Sequence, residues 1–321
     1  MKNIVLDGIM GLCVADALGV PVEFINRDTL KANPVDDMRE YGIHKQPAGT
    51  WSDDTSMTLC LADSLIKGLD FGDIMFKFKR WLEEGEYTPH GNVFDIGIST
   101  RKALIRYSEG IDPLECGGRT EYDNGNGSLM RILPILFYIH SIYGTEFKDN
   151  NNVFEIIHSV SGLTHAHKRS KIACGIYISV ASKLIGGKNL STAVDFGIFD
   201  AMSYYRNQSE YIDELRHFER LVSKDYDKLP EKQIKSSGYV VDTLEAAIWC
   251  LLNTNNYLDC VLKAVNLGDD TDTVAAVAGG LAGLYYGYES IPVEWLSKII
   301  KREYIENLCN QLNLANNRRG I

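Results

Sequence analysis

Apolar residues recur at helical spacing along nearly the whole chain. Within residues 211–222 and 244–251 they stand three or four positions apart, which places each set on one face of a helix. Strand-like alternation of apolar and polar residues is scarce, and no repeat of fixed period is present. We therefore expect a single all-α domain over residues 1–321. The predicted helices number about ten or more, joined by loops near residues 26–51, 110–125, 141–152 and 223–238.

Two of the predicted helices carry small residues at spacing four. These are Gly11, Ala15 and Gly19 near the start of the chain, and Ala275, Gly279, Gly283 and Gly287 near its end. An interior glycine costs a helix about 1 kcal/mol relative to alanine, so a face built from such residues indicates close backbone approach. We predict that these two helices pack together in the middle of the bundle.

The net charge argues against nucleic acid as a partner, and the lengths of the apolar runs argue against a membrane. The net charge is −10, whereas tight, sequence-independent binding to nucleic acid needs clustered Lys and Arg. Asp7 and Asp16 interrupt the apolar N-terminal run, and the run over residues 274–286 is too short to span a bilayer. The seven cysteines are scattered without CxxC spacing, which predicts neither a disulfide framework nor a zinc ribbon. We expect a cytoplasmic protein that binds neither nucleic acid nor membrane.

A hydroxyl and two adjacent carboxylates stand where an apolar helical run begins, at Ser52, Asp53 and Asp54. One interpretation is a helix cap, because such side chains accept bonds from free N–H groups at the positive end of the helix dipole. Taken alone, this segment favours the cap over a ligand site.

A second acidic segment, GDDTDT at residues 268–273, precedes another apolar helix and changes that interpretation. Capping needs one such side chain rather than five. If both helix starts converge, the carboxylates raise one another's pKa unless a cation neutralises them. All the donors are hard oxygens, with no Cys or His in register, which favours Mg²⁺ or Mn²⁺ over Zn²⁺.

An acidic residue also follows the first predicted helix. Gly19 and Pro21 end that helix, so Glu23 falls in the loop just beyond it. Side chains in such loops are free to meet a ligand, although a solvated acid is the commoner case.

A glycine-containing turn, DNGNGSLMR at residues 123–131, opens a further apolar helix. Its glycines allow backbone N–H groups to turn inward, and a helix N-terminus attracts an anion such as a diphosphate. Asn-Gly turns are also common without any ligand. His165 and His167 follow at spacing two without a third soft ligand, so substrate contact and a purely structural histidine both stay open. The histidines at 44, 90, 140, 158 and 217 join no recognisable constellation.

Taken in chain order, these segments resemble the ADP-ribosylglycohydrolase family over nearly the whole chain. The resemblance rests on residues 8–11, 16–19 with Glu23, 52–55, 125–131, 164–167, 238–244 and 268–273. Each motif is weak alone, but their shared order is specific. The resemblance implies a compact, orthogonal multi-helix bundle with a central binuclear metal cleft.

The same resemblance assigns roles to individual residues. As ligands of two Mg²⁺ or Mn²⁺ ions it implies Ser52, Asp53, Asp54, Asp270, Asp272 and Thr273. As catalytic acid or base it implies Glu23 and, in some family members only, Asp123. As substrate contacts it implies Gly125, Asn126, Gly127, Ser128, His165 and Tyr239.

The implied activity is removal of ADP-ribose from a modified protein or a small ADP-ribose conjugate. Residues 164–167 and 238–247 look more like the bacterial arginine-directed members, which favours an arginine linkage, and a monomer is expected. One alternative is a non-catalytic ADP-ribose-binding relative, whose acidic motifs should have decayed; here they are whole. The other is a metal-dependent nucleotide phosphohydrolase, which usually carries an adjacent His-Asp metal pair, absent here.

Overall fold

The computed structural model describes residues 3–320 and confirms the all-α prediction. Within that range no β-strand occurs, and extended backbone pairs only at two isolated bridges, Gly118–His165 and Gly125–Tyr239. The helices are α1 (Ile4–Gly19), α2 (Arg27–Ala32), α3 (Asp53–Lys67), α4 (Phe71–Glu84), α5 (Ile98–Ser108), α6 (Pro134–Tyr143), α7 (Asn151–Gly162), α8 (Lys168–Ile185), α9 (Leu190–Arg206), α10 (Val240–Leu252), α11 (Tyr257–Val265), α12 (Thr271–Tyr286), α13 (Val293–Lys298) and α14 (Arg302–Arg319).

The two small-residue helices are α1 and α12, and they pack together as predicted. A Cβ atom added at Gly11 would lie 2.5 Å from the Gly279 carbonyl oxygen, and one added at Gly279 would lie 2.5 Å from the Gly11 carbonyl oxygen. A Cβ atom at Gly19 would lie 2.3 Å from the Asp272 Cα atom. Only glycine permits this separation, and it sets the C-terminal end of α1 against the N-terminal end of α12.

The pair α1–α12 lies at the centre of the bundle. Helix α1 also packs against α3, α6 and α14, while α12 packs against α8, α10 and α11. By length and composition Ile4–Val22 could cross a membrane, but this segment is mostly buried inside the protein. All seven cysteines are buried free thiols.

The prediction of an α-helix over residues 211–222 is wrong. The segment forms a short 3₁₀ helix at Ile212–Phe218 and then turns. Leu215, Phe218 and Leu221 stand three residues apart, which is the period of a 3₁₀ helix. Helix α8 also contacts this segment, because Glu214 accepts a hydrogen bond from Arg169 Nε at 2.7 Å.

Candidate active site

The first turns of α3 and α12 meet, although they are far apart in sequence. Thr273 Oγ1 donates a hydrogen bond to Asp54 Oδ1 at 3.3 Å. One carboxylate oxygen from each of Asp16, Asp54 and Asp272 lies within 4.8 Å of the others. The two acidic segments therefore converge at the end of α1 that the glycine contacts hold against α12.

A second group of acids adjoins the first. Carboxylate oxygens of Glu23, Asp270 and Asp272 also lie within 4.8 Å of one another. Asp272 is common to both groups, so they are neighbouring parts of one acidic cluster. Asp53 lies at its edge and lines a small cavity together with Ser52 and Asp95.

Asp16 holds the start of α3 in this cluster. Both of its carboxylate oxygens accept bonds from the Ser52 backbone N–H at 3.0 Å, and Oδ2 also accepts from Thr55 N at 3.1 Å and Thr55 Oγ1 at 2.6 Å. Ser52 in turn caps α3 by accepting a bond from Asp54 N at 3.2 Å. Burial raises the pKa of Asp16 to about 6 against the opposing effect of these bonds.

Asp270 stands at the start of α12 but does not cap it, since its side chain makes no capping bond. Its Oδ2 atom instead accepts a hydrogen bond from Asn126 Nδ2 at 2.9 Å. The same amide nitrogen donates to Thr243 Oγ1 at 2.9 Å. Asn126 therefore joins the acidic cluster directly to the glycine turn.

The electrostatics of the cluster favour a bound cation. Burial raises the pKa of Asp53, Asp54 and Asp272 well above the usual range, and repulsion between the neighbouring carboxylates raises it further. Within residues 3–320, Asp54 Oδ2 and Asp270 Oδ1 are buried and have no hydrogen-bond partner. Buried carboxylate oxygens of this kind need a proton or a cation, and the all-oxygen donor set fits a hard divalent ion.

Glu23 is buried beside His44, a contact that the sequence did not indicate. The Glu23 carboxylate contacts His44 Nε2, and an Asp95 oxygen lies within 4.8 Å of both groups. Burial raises the pKa of Glu23 to about 7; the bond from His44 opposes this rise, and the Asp95 charge adds to it. The His44 ring centroid lies 5.2 Å from that of Phe94. The interpretation of His44 as isolated is therefore wrong, because an irregular loop brings it to Glu23.

The glycine turn is pinned to the start of α10. Asn126 N donates to Gly238 O, and Val240 N donates to Asn124 O, both at 3.0 Å. These bonds place Tyr239 beside the turn, where the Arg169 guanidinium lies 5.7 Å from its ring centroid.

The turn forms a cradle of unpartnered donors. The backbone N–H groups of Gly127, Ser128 and Leu129 find no acceptor in the described part of the chain. A Cβ atom at Gly127 would lie 2.8 Å from His165 Cε1 and 3.0 Å from Thr100 Oγ1, so only glycine fits between them. Successive backbone N–H groups that lack a protein partner are suited to an anion.

Comparison with known proteins identifies the family of the chain. A family model described as ADP-ribosylglycohydrolase matches residues 2–320. The chain belongs to the ADP-ribosylglycohydrolase family. The resemblance stated from the sequence is thereby confirmed, as is its assignment of the chain to the glycohydrolase enzymes.

Individual ADP-ribosylglycohydrolase relatives are similar over most of their length. An ADP-ribosylarginine hydrolase of Serratia proteamaculans is 36% identical, covering 95% of this chain and 77% of the relative. The ADP-ribosyl-[dinitrogen reductase] glycohydrolase of Rhodospirillum rubrum is 31% identical, covering 97% and 96%. A solved structure titled ADP-ribosylglycohydrolase-related protein complex superposes with a TM-score of 0.77 at 31% identity, covering 99% and 98%.

The side chains of two predicted site residues, Ser128 and Asp123, make hydrogen bonds to neighbouring protein groups. Ser128 Oγ faces Ser161 Oγ at 3.0 Å, which leaves its backbone N–H for the cradle. Asp123 Oδ2 accepts bonds from Thr120 N at 2.9 Å and Thr120 Oγ1 at 2.6 Å in a capping box. Burial opposes ionisation of Asp123, but the bonds from Thr120 and Ser99 outweigh it and keep the pKa below its usual value.

The remaining predicted residues lie around one connected site. The acidic cluster and the hydroxyls that bond to it contain Glu23, Ser52, Asp53, Asp54, Asp270, Asp272 and Thr273. The turn and its walls contain Gly125, Asn126, Gly127, His165 and Tyr239. Sequence reasoning gave no role to Asp16, His44, Asp95 or Thr100. Of these only Asp16 had a signal, as an acid on the small-residue helix; the others lie outside recognisable patterns.

Proposed function

We propose that this protein hydrolyses the glycosidic bond between ADP-ribose and a modified arginine, and so reverses mono-ADP-ribosylation of a protein. The observation that carries the proposal is the Asn126–Asp270 hydrogen bond of 2.9 Å, which links an anion cradle to a buried acidic cluster. ADP-ribose has the matching arrangement, with a diphosphate close to a ribose that bears vicinal hydroxyls. The phosphate and the reacting ribose can then be held side by side.

The acidic cluster would hold two Mg²⁺ or Mn²⁺ ions through Ser52, Asp53, Asp54, Asp270, Asp272 and Thr273. Two adjoining groups of carboxylates that share Asp272, and the unpartnered oxygens of Asp54 and Asp270, support this ligand set. When bound, such ions supply positive charge that offsets the carboxylates and orients ribose hydroxyl groups.

Glu23 is the residue we assign to proton transfer. It is buried and adjoins Asp270 and Asp272, and in the absence of a bound cation burial raises its pKa to about 7, so that it can hold a proton near neutral pH. In the hydrolysis, a water oxygen bonds to the ribose carbon as the carbon–nitrogen bond breaks. Glu23 takes the proton that the water loses and passes it to the leaving guanidine nitrogen, so the carboxylate is regenerated.

The other carboxylates have a supporting part in this step. As the glycosidic bond lengthens, positive charge develops on the ribose, and nearby carboxylates stabilise it. Asp123 stays a second candidate for the acid, although its bonds to Thr120 and its lowered pKa favour Glu23.

The substrate's anionic half would lie on the glycine turn. The N–H groups of residues 127–129, which have no acceptor among residues 3–320, and the His165 ring border this position, and Tyr239 forms a wall beside Gly125. Arginine is the linkage we favour, because relatives from Serratia proteamaculans and Pseudomonas putida that are named ADP-ribosylarginine hydrolases are 36% and 34% identical. A cytoplasmic, monomeric enzyme stays a prediction.

The test is a comparison of matched conjugates with Mg²⁺ present: an ADP-ribosylarginine peptide, its ADP-ribosylserine counterpart and O-acetyl-ADP-ribose, with products separated by chromatography. We expect free ADP-ribose, released fastest from the arginine peptide. Faster release from serine or acetate would refute the linkage. Formation of AMP or phosphate would instead support a nucleotide phosphohydrolase, and tight ADP-ribose binding without any turnover would support a non-catalytic relative.

A further inference from the structure

Arg131 is fully buried behind the glycine turn and has no carboxylate partner among residues 3–320. Its Nη2 atom donates to Val160 O at 3.1 Å and to Thr164 Oγ1 at 2.8 Å, and its guanidinium carbon lies 4.8 Å from the Phe78 ring centroid. Across residues 3–320, its Nε and Nη1 atoms have no hydrogen-bond partner. An arginine can only donate hydrogen bonds, so Thr164 Oγ1 must act as the acceptor in this contact.

This constraint fixes the next hydrogen bond in the chain. Thr164 Oγ1 lies 2.8 Å from His165 Nδ1. The hydrogen of this fully buried hydroxyl needs an acceptor, and the only one that the hydrogen bonds of residues 3–320 offer it is His165 Nδ1. Nδ1 then accepts, so the proton of the neutral ring is on Nε2. Burial and the nearby Arg131 charge lower the pKa of His165 to about 3, which agrees with a neutral ring.

The Nε2 atom faces the cradle. A Cβ atom added at Gly127 would lie 3.3 Å from His165 Nε2, and one added at Gly125 would lie 3.7 Å from it. The hydrogen bonds of the described residues include no acceptor for this nitrogen. In the Nε2–H form the ring presents a donor to an anion in the turn, whereas the opposite tautomer would present a repelling lone pair.

We propose that Arg131 and Thr164 are positioning residues that hold His165 in the neutral Nε2–H form, so that it donates a hydrogen bond to a phosphate oxygen of ADP-ribose. The identity of this ligand rests on the proposed function. The tautomer itself does not, because the Arg131–Thr164–His165 chain of bonds exists in the free protein. The histidine then binds phosphate as a neutral donor across the physiological pH range, with no need to become protonated.

The first test is the tautomer in the ligand-free protein at pH 7. Long-range ¹H–¹⁵N correlation spectra of histidine-labelled protein distinguish a protonated from an unprotonated ring nitrogen, and a His165→Gln spectrum identifies the signal. We expect His165 to be protonated at Nε2 alone. Protonation at Nδ1, or at both nitrogens, would overturn the proposal.

The second test removes the relay while keeping the shape of the side chain. Thr164→Val deletes the hydroxyl, Thr164→Ser retains it, and Thr58→Val is a matched control, because the buried Thr58 hydroxyl has no hydrogen-bond partner among residues 3–320. We expect the valine variant at 164 to lose the pure Nε2–H signal and to bind ADP-ribose about tenfold more weakly, as for one lost bond to a charged group.

The other two variants and the kinetics distinguish a positioning role of Thr164 from a purely structural one. Thr164→Ser should restore both the signal and the affinity, Thr58→Val should change neither, and the loss at Thr164→Val should appear in KM rather than kcat. Unchanged ADP-ribose affinity in Thr164→Val, or a fall in thermal stability as its only effect, would overturn the positioning role. Failure of the wild-type protein to bind ADP-ribose would refute the proposed ligand, whereas the spectra would still decide the relay.

Discussion

Replacing Asp272 by Asn should stabilise the metal-free protein while abolishing its response to Mg²⁺. Asp272 belongs to both groups of carboxylates, whose oxygens lie within 4.8 Å of one another. Two unit charges at that separation repel by about 3 kcal/mol at an effective dielectric constant of about 20. Asn removes this charge and can still accept the 2.9 Å bond from Thr273 N.

The net gain is smaller than the full repulsion, because raised pKa values already leave part of the cluster protonated. We expect a gain of about 1–3 kcal/mol, which corresponds to a rise of roughly 1.5–4.5 °C in Tm for a chain of 321 residues. The assay is thermal unfolding at pH 8 in chelator and then in excess Mg²⁺. Mg²⁺ should raise the Tm of the wild type but not that of Asp272→Asn.

Asp269→Asn is the matched control for this experiment. Asp269 precedes the same helix but belongs to neither group of clustered acids, and its φ of 61° is a conformation that Asn adopts readily. The control should keep the wild-type Tm and the full response to Mg²⁺. A Tm of Asp272→Asn that fell in chelator, or that rose with Mg²⁺ as much as the wild type, would refute the electrostatic reasoning.

Three further predictions concern the packing, the acid and the pH dependence. Gly279→Ala should destabilise the fold by about 1–3 kcal/mol and reduce turnover, since its Cβ atom would lie 2.5 Å from the Gly11 carbonyl oxygen. A variant with the denaturant midpoint and the activity of the wild type would contradict this. His44→Phe removes a bond that lowers the pKa of Glu23, so the Glu23-dependent limb of the pH–rate profile should move to higher pH; an unmoved limb would exclude that coupling. The metal-free protein should lose stability as the pH rises from about 5 to about 7. The folded-state pKa of Glu23 is raised from 4.5 to about 7, so over this range the folded state holds a proton that the unfolded state has released. Saturating Mg²⁺ should remove this loss, and a chelator-treated protein that grew more stable over the same range would refute the assignment.

Most of the fold that positions the site could be predicted from the sequence. The sequence features that indicate it are local, and each costs stability unless it serves a contact or a ligand. Glycines at spacing four in a helix indicated the α1–α12 contact, and the excess of acids over what a cap needs indicated two helix starts that meet. The prediction of an α-helix around Phe218 was wrong for a related reason. Its apolar spacing fits both an α-helix and a 3₁₀ helix, and contacts such as the Glu214–Arg169 bond decide between them.

The missed parts of the site lie where no periodic pattern exists. His44 and Asp95 come from irregular loops, and only the folded chain brings them to Glu23. The role of Thr164 was equally hidden, because it depends on a buried arginine donating to the hydroxyl from another segment. Motifs therefore located the cluster and the turn, whereas the groups that orient them required three-dimensional contacts.

Our central proposal is that the buried carboxylates form a metal site on which glycosidic hydrolysis depends. The most direct measurement is release of free ADP-ribose from an ADP-ribosylarginine protein, by the wild type, by Asp270→Asn and by the Asp269→Asn control, each with Mg²⁺, with Mn²⁺ and with excess chelator. We predict metal-dependent release by the wild type and the control, and none by Asp270→Asn although it remains folded. Release that persists in chelator, or in Asp270→Asn, would contradict the claim.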